Sequence, residues 1–365
     1  MQAILLTGRH FIHKIDPVLL RTGDIKLYYY GLAYALGFLG IHLWLRFRQI
    51  ELGWSTKEIY TFSILIAACV LVFGRAFEIA VYEWDYYRMH LSQVLSFWRG
   101  GMASHGVLLG GIVGIFLFSR LRHRSFLDIA DEVVIPAAFL LALGRIGNFI
   151  NGEIYGSVTN VWWAVRFPDA DGFRHPVTLY ESLKNFMIIP ILICARKRDC
   201  CSRGTLLAHF IFWYGFLRIF ADYFRKYGTE FLGIGTGQYF NIFMALGGIG
   251  LYIWASRTRP VSDLSKLQAS QLDDGKTKKS DSTSTGANLF SAIVKRVVFI
   301  SILFFSLTIP SSWTQGVLKQ YRSRQISQRT LVHRDFYLIR ENALLQVLDI
   351  DFGDASQEKL EKIHE

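Results

Sequence analysis

Seven mainly apolar stretches, at residues 27–45, 58–80, 104–120, 127–150, 177–195, 204–225 and 237–256, constrain this chain more than any other feature. A helix needs about 20 such residues to cross the hydrocarbon core of a bilayer. Within lipid every backbone N–H and C=O must be satisfied by the chain itself, so only helices and closed barrels span. No alternation of period two persists long enough for a barrel, and no repeat is visible. The sequence therefore predicts an all-α fold: a polytopic integral membrane helical bundle with seven transmembrane helices. Composition agrees, with 52% hydrophobic and only 19% charged residues and a mean hydropathy of +0.27.

The first residues hold Arg9, His10, His13, Lys14 and Asp16 and no compact apolar h-region, so insertion is expected to rely on an uncleaved first helix. Residues 1–256 form the expected transmembrane domain. Residues 257–288 carry Asp273, Asp274, Lys276, Lys278, Lys279 and a Ser/Thr-rich tract, which reads as a polar linker unable to build a core. Residues 289–365 form a C-terminal extension with no assigned function. Its stretch from Val297 to Trp313 is apolar but short, with Lys295 and Arg296 at its start, and fits either an eighth span or an interfacial helix. Because the polar constellations all precede residue 257, a chain ending after Arg259 is expected to keep its activity.

The net charge of +11 lies in short basic runs between apolar stretches, which is how membrane topology is written. Membrane lipid, anionic lipid above all, is thus the expected partner, and no nucleic acid is. The odd-numbered loops carry ten basic residues against six in the even ones, although Arg9, Lys14, Arg21 and Lys26 in the leader count the other way. The loops place the N-terminus outside and residue 257 in the cytoplasm. Cys69, Cys194, Cys200 and Cys201 form neither a CxxC pair nor a disulfide framework, and no metal and no cofactor is expected.

Polar residues inside apolar helices mark candidate sites, because hydrocarbon tolerates them only when they are paired or face a wet interior. The densest group closes the fourth stretch, from Leu143 to Gly156. There Gly144, Asn148 and Asn151 share a helical face, Arg145 lies beside it, and Glu153 follows. In the sixth stretch Tyr214, Arg218, Asp222 and Arg225 fall within a narrow arc. Two arginines at bilayer level suit a phosphate, whose oxygens match the fixed donors of guanidinium. Gly106, Gly110 and Gly114 make two GxxxG steps that bring another helix into backbone contact. At their mouth His105 is either a satisfied structural residue or a base able to take a proton near neutrality. Tyr30 and Tyr34 belong either to an aromatic belt or to an inward pair of hydroxyls. Arg75 with Glu78 reads as an ion pair that fixes helix packing, and Arg174, Tyr180 and Glu181, the last beside Lys184, as a network locking an external loop onto the bundle.

The stretch Gly144-Arg145-Ile146-Gly147-Asn148-Phe149-Ile150-Asn151-Gly152-Glu153-Ile154-Tyr155-Gly156 resembles the signature of the prolipoprotein diacylglyceryl transferase family. Further pieces come in the family's order: Tyr30-Gly31, Gly101-Met102, His105-Gly106, Arg174-His175-Pro176, Leu179-Tyr180-Glu181, Tyr214-Gly215, Arg218 and Gly237-Gln238. The resemblance covers about residues 15–256. Asp222 stands where the family more usually has glutamate, Val177-Thr178 replaces Thr-Gln, and Ala103-Ser104 replaces Ser-Phe; none of these changes removes a charge.

The resemblance implies transfer of the diacylglyceryl group of phosphatidylglycerol to the lipobox cysteine of a prolipoprotein signal peptide, in a bacterial plasma (inner) membrane. The products are a thioether and glycerol 1-phosphate. Arg145 and Arg218 would serve the headgroup and phosphate, His105 is the candidate base, and Asn148, Asn151 and Glu153 orient. Tyr30, Tyr214 and Asp222 complete the expected substrate-binding set. A lipid or small-anion transporter is the alternative, since intramembrane arginines and glycine-rich helices serve permeation as well.

Overall fold

The computed structural model describes residues 6–7, 10–168, 170–197, 202–225, 230–231, 234–257 and 285–311. Eight long helices dominate them: α1 Tyr29–Phe47, α2 Thr56–Phe77, α3 Ser104–Arg122, α4 Phe126–Ile150, α5 Val177–Lys197, α6 Thr205–Tyr223, α7 Thr236–Ser256 and α8 Thr285–Leu307. Each of the seven expected stretches is helical. By length and composition six helices can cross a membrane: α2 extended by a wider turn to Tyr82, α3, α4, α5, Gly237–Ser256 of α7 and Phe290–Leu307 of α8. The other two, α1 and α6, hold the tyrosines, histidines and arginines that lower their hydropathy. The chain is an integral membrane protein. The expected linker 257–288 lies almost wholly outside the described residues.

Local chemistry sets the helix ends. Ser55 and Glu58 form a reciprocal capping box at α2, and Ser125 accepts from the Asp128 N–H at α4. Asp131, inside α4, accepts from the backbone N–H groups of Gly204 and Leu207, each at 2.7 Å, so one carboxylate caps α6 and ties it to α4. The predicted glycine contact forms between α3 and α2: a Cβ on Gly106 would strike the Phe73 carbonyl, and one on Gly110 the Cys69 carbonyl.

The two apolar clusters share α4. Tyr34, Phe38, Phe62, Phe118 and Ile129 fill the space among α1 to α4, while Ile135 and Ala138 of α4 meet Ile188, Leu192 and Leu206 of α5 and α6. The chain runs helically through Lys295, whose Nζ donates to Thr61 Oγ1 at 2.7 Å, and α8 packs on α1 and α2. Short strands, two to five residues long, join the helix ends. Leu6–Thr7 (β1) pairs antiparallel with His10–Ile12 (β2), which runs parallel to Val165–Arg166 (β5). A hairpin of Val18–Thr22 (β3) and Ile25–Tyr28 (β4) leads into α1.

Candidate active site

The last turn of α4 doubles back on itself. Asn151 ends the helix, Gly152 takes a left-handed φ of 71°, and the Glu153 N–H returns to the Asn148 carbonyl at 3.2 Å. Glycine adopts that conformation without penalty. The fold-back buries Glu153 to 2% exposure and lets its Oε1 accept from Asn148 Nδ2 at 2.6 Å and from Asn151 Nδ2 at 3.2 Å. Asn148 Oδ1 in turn accepts from Arg145 Nη1 at 3.3 Å. Burial pushes the Glu153 carboxyl up from its ordinary pKa, against hydrogen bonds from Ser311, Asn148 and Asn151 and the Arg145 charge, which pull it down.

On its other side Arg145 meets Glu181 of α5, which is fully buried. Arg145 Nε lies 2.6 Å and Arg218 Nη1 3.4 Å from the same oxygen, Glu181 Oε2, while Arg225 Nη1 is 3.7 Å from Oε1. Arg218 also donates to Tyr214 Oη at 3.1 Å and sits 3.3 Å from Asp222 Oδ2, which Asn241 Nδ2 reaches at 2.6 Å. Lys184, buried among them, holds its ammonium 3.5 Å from the centre of the Tyr214 ring. Three guanidinium groups thus surround Glu181, one of them also pairs with Asp222, and the Lys184 ammonium lies beside them, donating to Asn185 Oδ1 at 2.8 Å. Unit charges 4 Å apart interact by about 4 kcal/mol at an effective dielectric constant near 20, so this concentration of cationic groups attracts an anion. Two guanidinium groups already converge on one oxygen atom, which is the geometry an oxyanion requires.

Of the predicted residues, the structure joins Arg145, Asn148, Asn151 and Glu153 in one hydrogen-bonded chain, and links it through Glu181 to Tyr214, Arg218 and Asp222. Tyr30 lies against α4, where a Cβ on Gly147 would stand 3.2 Å from its ring, and its hydroxyl is 3.5 Å from that of Tyr34. His105 is exposed at the start of α3; its Nδ1 is 3.3 Å from Tyr82 Oη and its ring stacks on Phe77. Among the described residues no hydrogen bond joins it to the arginine group. Arg75 donates to the carbonyls of Gln93, Val94, Ser96, Gly100 and Gly101 and to Tyr87, so it organises the loop before α3.

Sequence reasoning missed the centrality of Glu181. A carboxylate in an apolar helix was the available signal, but its partners come from α4 and from the end of α6 and cannot be paired by spacing. Beside the site, an open apolar groove of about 470 Å³ is lined by Phe11, Phe149, Trp162, Trp163, Leu179 and Tyr180. Trp163 Nε1 donates to Tyr180 Oη at 2.5 Å, and His175, its pKa lowered by burial, holds the same hydroxyl at 3.0 Å.

A family model described as prolipoprotein diacylglyceryl transferase matches residues 17–254, which contain the whole arginine group and end before α8. The chain is 33% identical over 258 residues to the phosphatidylglycerol–prolipoprotein diacylglyceryl transferase of Methylibium petroleiphilum, covering 67% of this chain and 97% of that one. Against the enzyme of the same name from Cupriavidus necator the identity is 34% over 260 residues, 68% of this chain and 95% of the relative. For that from Nitrosomonas europaea it is 35% over 256 residues, 67% and 91%. With a match across most of its helices and nearly the full length of these relatives, the chain belongs to the prolipoprotein diacylglyceryl transferase family.

Proposed function

We propose that this chain transfers the diacylglyceryl group of phosphatidylglycerol to the cysteine thiol of a lipobox in a prolipoprotein signal peptide. The cysteine sulfur attacks the diacylglyceryl carbon, the carbon–oxygen bond to phosphate breaks, and glycerol 1-phosphate leaves with the bonding pair. One observation carries the reading: Arg145 and Arg218 converge on a single oxygen of Glu181 at 2.6 and 3.4 Å. That pair can neutralise charge growing on the departing phosphate. Asn148, Asn151 and Glu153 hold Arg145, and Tyr214 and Asp222 hold Arg218. Tyr30 borders the bound lipid.

The thiol must ionise to attack well, and free cysteine has a pKa of about 8.5. His105 is the base in this reading: it is exposed, and with Nδ1–H donating to Tyr82 Oη its Nε2 is the unprotonated nitrogen that takes the thiol proton. The open apolar groove against Phe149 and Tyr180 suits an apolar chain. Residues 1–256 hold the groups that meet the substrates, and 257–288 act as a linker. The chain sits in the bacterial inner membrane with its N-terminus outside and residue 257 cytoplasmic, which puts Tyr30, His105, Arg145, Glu181 and Arg218 at the outer end of the bundle.

Incubating the purified protein in vesicles of labelled phosphatidylglycerol with a lipobox peptide tests this. A thioether-linked diacylglyceryl peptide and free glycerol 1-phosphate are expected, with no product from the cysteine-to-serine peptide. Movement of lipid or phosphate across the vesicle without peptide modification would mark a transporter instead.

A further inference from the structure

Beyond the family match, α8 ends in a short arm that enters the site. Ile309 is fully buried in the cluster containing Tyr34 and Phe38, and Ser306 is fully buried as well. The arm crosses two glycines. A Cβ on Gly31 would lie 2.7 Å from the Leu307 carbonyl, and one on Gly100 would lie 2.9 Å from the Ser311 carbonyl. Only glycine permits these approaches, and Gly100 also has a φ of 81°. At its end Ser311, 4% exposed, donates from Oγ to Glu153 Oε2 at 2.6 Å.

Glu153 has two oxygens with separate duties. Oε1 takes the amides of Asn148 and Asn151, and Oε2 takes the Ser311 hydroxyl. We propose that Ser311 is a positioning residue for the transfer reaction: an arm outside the family match fixes Glu153, and through Asn148 it orients the guanidinium of Arg145. The proposal rests on the transferase reading above. It reverses the expectation, drawn from the sequence, that residues after Arg259 are dispensable. The groups that face Glu153 are Arg145, Tyr30, Tyr34, Asn148, Asn151 and Ser311. Of these, Ser311 is the donor supplied by the extension. A donor to a carboxylate favours its charged form, and burial opposes that form, so removing the hydroxyl makes Glu153 easier to protonate. Protonated Glu153 loses acceptor strength toward Asn148, and Arg145 loses its brace.

The test uses the full chain in phosphatidylglycerol vesicles, with turnover of a lipobox peptide measured against pH. S311A is expected to move the acid limb of kcat/KM upward by about one pH unit, a tenfold change in proton affinity. The loss should vanish on the alkaline side. In an E153Q background, S311A should cause no further shift. If S311A fails to accumulate, S311T and S311V, equal in size, isolate the hydroxyl: only S311T should keep the original profile. An unshifted acid limb in S311A, or the same profile in S311T and S311V, overturns the positioning role and leaves the transferase reading intact. No thioether product from the unaltered chain overturns both.

Discussion

Replacing Arg145 by lysine separates charge from geometry. Arg145 uses two different nitrogens for two partners: Nε approaches Glu181 Oε2 at 2.6 Å, and Nη1 reaches Asn148 Oδ1 at 3.3 Å. Lysine has one nitrogen on a flexible stem and cannot span both while also facing a ligand. The positive charge remains beside Glu181, and Arg218 and Arg225 stay in place, so the buried carboxylate keeps its counter-charges and the protein should insert normally. The loss is one charged hydrogen bond, about 1.5–3 kcal/mol. Where that bond acts on the departing phosphate, this corresponds to about a 10- to 150-fold fall in kcat/KM. Turnover of a lipobox peptide, at matched amounts of folded protein, reads the effect. Near-normal turnover in Arg145→Lys would refute the reasoning, because it would mean that any cation at this position suffices.

Three further outcomes follow from the same geometry. His105→Gln should lower turnover about a hundredfold near neutral pH, with the deficit shrinking as pH approaches the thiol's own value near 8.5; a deficit constant across pH would assign His105 to packing or binding. Gly110→Leu drives a side chain into the Cys69 carbonyl and should destabilise the α2/α3 contact by about 1–3 kcal/mol, seen as a lower thermal midpoint in detergent, whereas an unchanged midpoint would mean the contact is loose. His13, buried between Phe149 and Phe167 with Nε2 2.7 Å from the Phe149 carbonyl, has its pKa lowered by burial. Its folded form therefore resists protonation, so its contribution is complete above about pH 6.5 and is lost as pH falls below that value. Protection factors for amide hydrogen exchange at β2 and β5, corrected for the intrinsic pH dependence, should fall on acidification, and an equal fall in His13→Gln would exclude this histidine as the cause.

The helices and the α4 part of the site were legible because lipid imposes simple rules: apolar runs of spanning length must be helical, and an arginine or asparagine inside one needs a reason. Gly106, Gly110 and Gly114 announced the α2/α3 contact for the same reason, since small residues let backbones meet. Glu181 was seen but assigned to an external loop lock, because its three arginine partners stand at positions 145, 218 and 225 and only the packing of α4, α5 and α6 brings them together. The short strands were hidden, since two to five residues cannot display a period. Ser311 gave no signal at all: a lone serine after an apolar run is ordinary until the fold sets it against Glu153. Arg75 was expected to pair with Glu78 along its own helix; its hydrogen bonds to the Tyr87 hydroxyl and to five loop carbonyls are contacts that local spacing cannot foresee.

The central claim, that Arg145 and Arg218 act together on one phosphate, is tested most directly by determining the structure of the protein with phosphatidylglycerol bound. The account predicts both guanidinium groups within hydrogen-bond distance, about 2.7–3.2 Å, of oxygens on the same phosphate, with Glu181 behind them. A phosphate held by neither arginine, or by only one while the other stays wholly engaged with Glu181, would contradict it.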